Sequence, residues 1–115
     1  MKNKAVKAPR ASKDNNHGIL RDFFLGFIKI HTLHHAMKED VYGLWLIEEL
    51  NEHGYDLSPG TLYPILHKLE EDGLLTSYSE VVEGKVRKYY QTTPKGAHAL
   101  ERLREKIIEL VKEVV

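Results

Sequence analysis

The sequence predicts a mostly α fold with a small β-hairpin, a winged helix-turn-helix followed by a C-terminal dimerisation helix. Three observations predict it. Residues 58–73, SPGTLYPILHKLEEDG, hold a helix start, an apolar stripe and a stop. After Gly73 the apolar period changes from helical to two and turns back at Glu83-Gly84-Lys85. Between Leu100 and Val114, apolar residues recur at alternating steps of three and four, the seam of a paired helix.

Composition bounds the rest. A chain of 115 residues without an internal repeat is one domain, here parsed as an arm (1–17), a winged helix-turn-helix (18–92) and a last helix (93–115). With 42% hydrophobic and 30% charged residues it reads as a soluble globular protein. No cysteine is present, which excludes a disulfide framework, a thiolate nucleophile and a cysteine metal cluster. The formal net charge is +0, so the chain does not coat nucleic acid by bulk charge, although locally aimed cations can still bind it. The one early apolar run, Phe23 to Ile30, is too short for a bilayer. No small-residue cleavage site follows it, so no membrane partner and a cytoplasmic location are expected.

In chain order, residues 1–17 carry Lys2, Lys4, Lys7, Arg10 and Lys13 against the single acid Asp14. Such an arm can track a phosphate backbone, but charge runs are more often solvated tails, and an unstructured tail is expected. From Ile19 to about Met37 a helix carries two apolar stripes. Phe23, Phe27, Ile30, Leu33 and Met37 make one; Leu20, Phe24 and Ile28, then His31 and His35, make the other. A second stripe needs a second cover, for which a second copy of the chain is the candidate. His31, His34 and His35 share a face of this helix at spacing that can converge on a metal ion. No carboxylate sits at ligand spacing within the cluster. A helix or subunit contact is therefore expected, with pH sensitivity as an intermediate reading and no metal or other cofactor.

Asp40 is placed to cap a helix from Val41 to about His53, ended by Gly54, with Gly43, Leu46, Ile47 and Leu50 inward. Trp45 falls almost opposite that face, where it meets a partner subunit or forms a wall for a flat apolar effector. The link Tyr55-Asp56-Leu57 then leads into Ser58, which can cap the next helix, with Pro59 at its first position. Leu62, Ile65, Leu66 and Leu69 share one buried face, and Gly73 terminates. Thr61, Tyr63, His67 and Lys68 are left facing outward, hydroxyls near the N-terminus and a cation one turn on, which suits phosphates and base edges in a major groove. Pro64 lies past the first turn and is either a shape constraint or a tolerated kink.

Leu75 to Val82 and Val86 to Gln91 form the hairpin. Lys85, Arg87 and Lys88 beside Tyr89 and Tyr90 suit a wing gripping phosphate; the alternative is an edge protected by charge. Thr93 caps and Pro94 opens the last helix, whose stripe of Leu100, Leu103, Ile107, Leu110 and Val114 stays exposed unless paired. With Phe24 and Ile28 these residues are the expected dimer contact.

The segment VYGLWLIEELNEHGYDLSPGTLYPILHKLEEDGLL followed by GKVRKYYQTTPKG resembles the PadR family of bacterial and archaeal transcriptional regulators, from about Ile19 to the end. The single last helix is similar to that of short-form members. The resemblance implies a two-fold dimer built by the first and last helices, and repression of nearby genes relieved by a small molecule. It also implies DNA contacts at Ser58, Gly60, Thr61, Tyr63, Arg87, Lys88 and Tyr89. In drug-binding members a tryptophan pair on the last helices sandwiches the compound; this last helix has no tryptophan, and Trp45 is not its equivalent.

The expected partners are thus double-stranded DNA, a second copy and a flat aromatic effector near Trp45. A rival, a winged helix used only for protein contact, would present an acidic or apolar outer face on residues 58–73. Catalysis is not expected, since the chain offers no Gly-rich phosphate loop and no recognisable Ser/His/acid set.

Overall fold

Helix α1 spans Pro9–Lys38, α2 Gly43–Asn51, α3 Pro59–Glu71 and α4 Pro94–Val114 in a computed structural model that describes the backbone of residues 9–115 and the side chains from residue 18. The strands are β1 (Val41–Tyr42), β2 (Leu75–Val82) and β3 (Lys85–Thr92), in one antiparallel sheet of order β1-β3-β2. Residues 1–8 of the expected arm lie outside the described residues. Helix α1 takes in residues 9–17, which composition had assigned to that arm. Among the described residues no helix is long and apolar enough to cross a membrane.

The recognition segment folds as its pattern requires. Leu62, Ile65, Leu66 and Leu69 are all buried, and Pro59 opens the helix. Gly73 stops the chain at φ +81°, a left-handed conformation that costs a glycine nothing. The expected cap differs: the Ser58 hydroxyl donates to Thr61 Oγ1 at 3.3 Å and accepts no backbone N–H. The Ser58 carbonyl instead receives the N–H groups of Thr61 and Leu62 at 3.1 and 3.0 Å. Pro64 stays within the helix and deprives only the carbonyl of Gly60, on the exposed first turn, of its helical donor.

Asp40 does not cap α2. Its carboxylate accepts the Tyr78 hydroxyl and, at 2.7 Å, the Gln91 amide, so it is tied to β2 and β3. The two residues after it become β1, pairing Val41 with Tyr90 and Tyr42 with Tyr89, and α2 starts at Gly43. The inward set Gly43, Leu46, Ile47 and Leu50 is as the spacing predicts. In the hairpin, Glu83 (φ 51°) and Gly84 (φ 80°) are both left-handed, the backbone that lets two twisted strands close over a two-residue turn. Thr93 caps α4 by accepting the Gly96 N–H at 3.0 Å, and its own hydroxyl donates to the Gly73 carbonyl at 2.6 Å.

The core lies between the sheet and the four helices, with Ile28, Leu33, Leu46, Leu62, Leu66, Leu75, Tyr90 and Leu100 at its centre. Two expected dimer residues belong to it. Ile28 is 0% and Leu100 1% exposed within a single chain, because α1 and α4 pack on each other through these positions before they could meet a partner. Leu103 is half-buried against the same core, and Phe24 stacks on Tyr55 with ring centres 4.4 Å apart. Ile107, Leu110 and Val114, with Ile108, Val111 and Val115, remain exposed beyond the core.

Candidate nucleic-acid interface

The end of β1, the start of α2 and Tyr63 of α3 line an open cleft of about 400 Å³ together with the wing. Tyr42, Gly43, Leu44 and Tyr63 line one side; Val82, Glu83, Lys85, Val86, Arg87 and Lys88 line the other. The expected DNA contacts thus fall into three groups. Ser58, Gly60 and Thr61 sit at the N-terminal end of α3, where the helix dipole favours an anion. Tyr63, Lys85, Arg87 and Lys88 meet in the cleft. His67 and Lys68 continue along the exposed face of α3, and Tyr89 is half-buried in the sheet, where it organises other rings.

The cations are not equally free. Lys68 lies 3.6 Å from Glu71 and 3.3 Å from Asp72, and its hydrogen bond to Asp72 raises its pKa above the ordinary lysine value. Lys88 reaches the Glu70 carboxylate of α3 at 3.8 Å, while Ser77 donates to the other Glu70 oxygen at 2.7 Å. Arg87 sits over the Tyr42 ring, its Cζ 4.1 Å from the ring centre, and a hydrogen bond to Tyr89 raises its pKa above the ordinary arginine value. Lys85, at the start of β3, stands exposed.

Tyr89, expected as a DNA contact, holds the wing together with Tyr42 and Tyr78, which the sequence pattern did not single out. Tyr89 stacks on Tyr78 (5.4 Å) and meets Tyr42 edge-on (5.6 Å), which joins all three strands by one row of rings. The hydrogen bond to Asp40 pushes the Tyr78 hydroxyl up to about 12 and holds the Asp40 carboxyl below its usual range. Paired β-branched and aromatic positions on facing strands were the available signal for this row.

Tyr63 rests on Gly43. A Cβ at Gly43 would stand 2.7 Å from Tyr63 Cζ and 2.8 Å from Cε1, so only a missing side chain leaves room for the ring. Gly43→Ala should therefore eject the ring at little cost to the fold, because its far end is free to swing. Its expected effect is a loss of about 1–3 kcal/mol in binding a cognate duplex, equal to that of Tyr63→Ala and not added to it. A double-mutant cycle by fluorescence anisotropy checks this; additive losses would mean that Gly43 acts elsewhere.

Trp45, placed by its spacing opposite the inward face, is half-buried against the core, with its ring edge-on to His35 at 5.3 Å. It is covered partly by its own α1. The histidines of α1 are likewise not alone: Glu49 and His53, from α2 and the turn after it, come up against His35 and His31.

Residues 32–102 match the model of the Transcriptional regulator PadR-like family. The chain is 49% identical over 96 residues to Transcriptional regulator Rv3488 of Mycobacterium tuberculosis, covering 84% of this chain and 90% of that protein. The fold is similar to a crystal structure of a PadR family transcriptional regulator from Eggerthella lenta (TM-score 0.76, 30% identity, 92% and 94% of the two chains). It is also similar to a PadR-like transcriptional regulator from Bacillus cereus (TM-score 0.69, 30% identity, 84% and 92%).

Proposed function

Because the chain belongs to the PadR-like family of transcriptional regulators, we propose that it is a homodimeric, sequence-specific repressor acting in the cytoplasm. Each copy sets α3 into a major groove of a pseudo-palindromic operator, with the two helices about one DNA turn, ~34 Å, apart. The observation that carries this reading is the shared cleft. Tyr63 of α3 opens onto the same cleft as Lys85, Arg87 and Lys88 of the wing, one turn along from the exposed Ser58 and Gly60 at the start of that helix. A helix offering hydroxyls and a phenol reads base edges while the wing cations hold phosphate and fix the register.

Pairing rests on α4. Ile107, Leu110 and Val114 continue a heptad-like stripe past the core and stay uncovered in one chain. With Phe24 they form the dimer contact in this reading, while Ile28 and Leu100 stiffen the helices behind it. Release by a small flat effector is part of the same proposal, with the half-buried Trp45 as the ring against which such a compound stacks.

Anisotropy titrations on DNA from upstream of the gene and on a scrambled duplex test it. Tyr63→Ala should lose about 1–3 kcal/mol on the upstream duplex and little on the scrambled one. Lys85→Ala should weaken both equally and lower the salt slope by about 1. Lys88→Ala should do so less, since Glu70 already neutralises that charge. Equal losses on both duplexes for Tyr63→Ala would remove base reading from α3.

A further inference from the structure

Two pairs of ligand-type side chains face each other across the contact between α1 and α2, away from the DNA cleft. His31 and His35 stand one turn apart on α1, and Glu49 and His53 have the same spacing at the end of α2. His35 Nε2 is 3.8 Å and His53 Nε2 3.5 Å from one oxygen, Glu49 Oε2. The ring centre of His31 lies 5.7 Å from that of His35 and 5.1 Å from that of His53. The Nδ1 of His31 is buried and has no hydrogen-bond partner.

These separations are those of a four-coordinate ion. With bonds near 2.1 Å, donor atoms sit roughly 3.4 Å apart and the centres of two coordinating imidazoles roughly 5 Å apart. In the side-chain positions present, no three such groups among the described residues are set around one point. Closing the set therefore asks for rotation of imidazoles that are already neighbours.

We propose that His31, His35, Glu49 and His53 form a site for a divalent transition-metal ion of the Zn²⁺, Co²⁺ or Ni²⁺ class, tying α1 to α2. Three imidazoles and one carboxylate favour such ions over Mg²⁺ and Ca²⁺, which take oxygen ligands. One pair lies one turn apart on α1 and the other spans the end of α2 and the turn after it, an arrangement related to the way facing helices of a bundle hold metals. Phe27, 4.1 Å from His31 between ring centres, and Trp45 beside His35 flank the α1 side of the site. His34 is left out: after burial, Lys38, His35 and Arg104 are what depress its pKa, which places it towards α4.

Trp45 is the only tryptophan in the chain and reports on its neighbour His35. Co²⁺ added alone to the metal-stripped full chain should quench its emission saturably at one ion per chain. The intense visible bands of four-coordinate Co²⁺ should develop in parallel, and the melting temperature should rise by mass action. His35→Ala and His53→Ala should need at least ~10-fold more Co²⁺, whereas His34→Ala and His98→Ala should titrate as wild type. Where an alanine variant fails to fold, Glu49→Gln, which keeps the size of the side chain, should show the same weakening. Absence of saturable quenching, or unchanged affinity in both His53→Ala and Glu49→Gln, would overturn the site. No DNA enters these measurements, so their failure leaves the DNA-binding proposal intact.

Discussion

Gly96→Ala should lower stability by about 3 kcal/mol or more, the largest loss expected from one added methyl group. Gly96 is buried in the first turn of α4, at the point where the helix crosses the end of α3 and the start of β2. A Cβ there would overlap the Leu74 carbonyl oxygen and stand 3.1 Å from its carbon and 2.7 Å from Thr92 Cγ2. Two of those atoms are backbone and cannot swing aside. The same carbonyl accepts the Thr93 N–H at 3.1 Å, and Thr93 in turn caps α4, so relief by moving Leu74 would break the junction of wing and helix. Thermal melts should show a midpoint lower by on the order of 10 °C. Gly60→Ala, whose Cβ would meet only Ser58 Oγ at 3.8 Å, should melt near wild type. A Gly96→Ala protein that melts with the wild type would mean that α4 is not seated against Leu74.

The paired substitution Ile107→Glu with Leu110→Glu should separate the copies and cut operator affinity on the order of 10²–10⁴-fold, the advantage conferred by linking two half-site contacts. Both residues are exposed in one chain, so the charges cost its own fold little, within about 0.5 kcal/mol for surface changes. In a dimer they would be desolvated against each other. Sedimentation equilibrium reads the first effect and anisotropy the second. A variant that remains dimeric would move the subunit contact elsewhere, with the exposed Phe23, Leu20 and Ile19 of α1 the next surface to alter.

Local chemistry was legible in the sequence wherever one element decides its own shape. The four-residue stripe of α3, the stop at Gly73, the hairpin turn and the Thr93 cap each depend on neighbours within a few residues, and each stands where its pattern put it. Apart from the Ser58 cap, whose hydroxyl turns to Thr61 instead, what failed depended on partners distant in the chain. Asp40 looks like a cap until Tyr78 and Gln91 claim it, 38 and 51 residues away. Val41 and Tyr42 continue a helical pattern, but the open edge of β3 makes a strand of them. An apolar stripe shows which residues want cover and not which surface supplies it. Ile28 and Leu100 were assigned to a second copy for that reason, and the chain's own core holds them. Of the interface, the residue types and the α3 face could be read, whereas the slot that Gly43 makes for Tyr63 could not, because it lies between two helices.

Glu70 gives the wing an anion of its own. With Lys88 at 3.8 Å and Ser77 holding the second oxygen, the carboxylate occupies a place where a nucleic-acid backbone would otherwise be welcome. If the wing meets DNA as proposed, a duplex has to displace this resident rival before that lysine becomes available. Under the proposed reading, this pair favours duplexes that α3 matches over random ones.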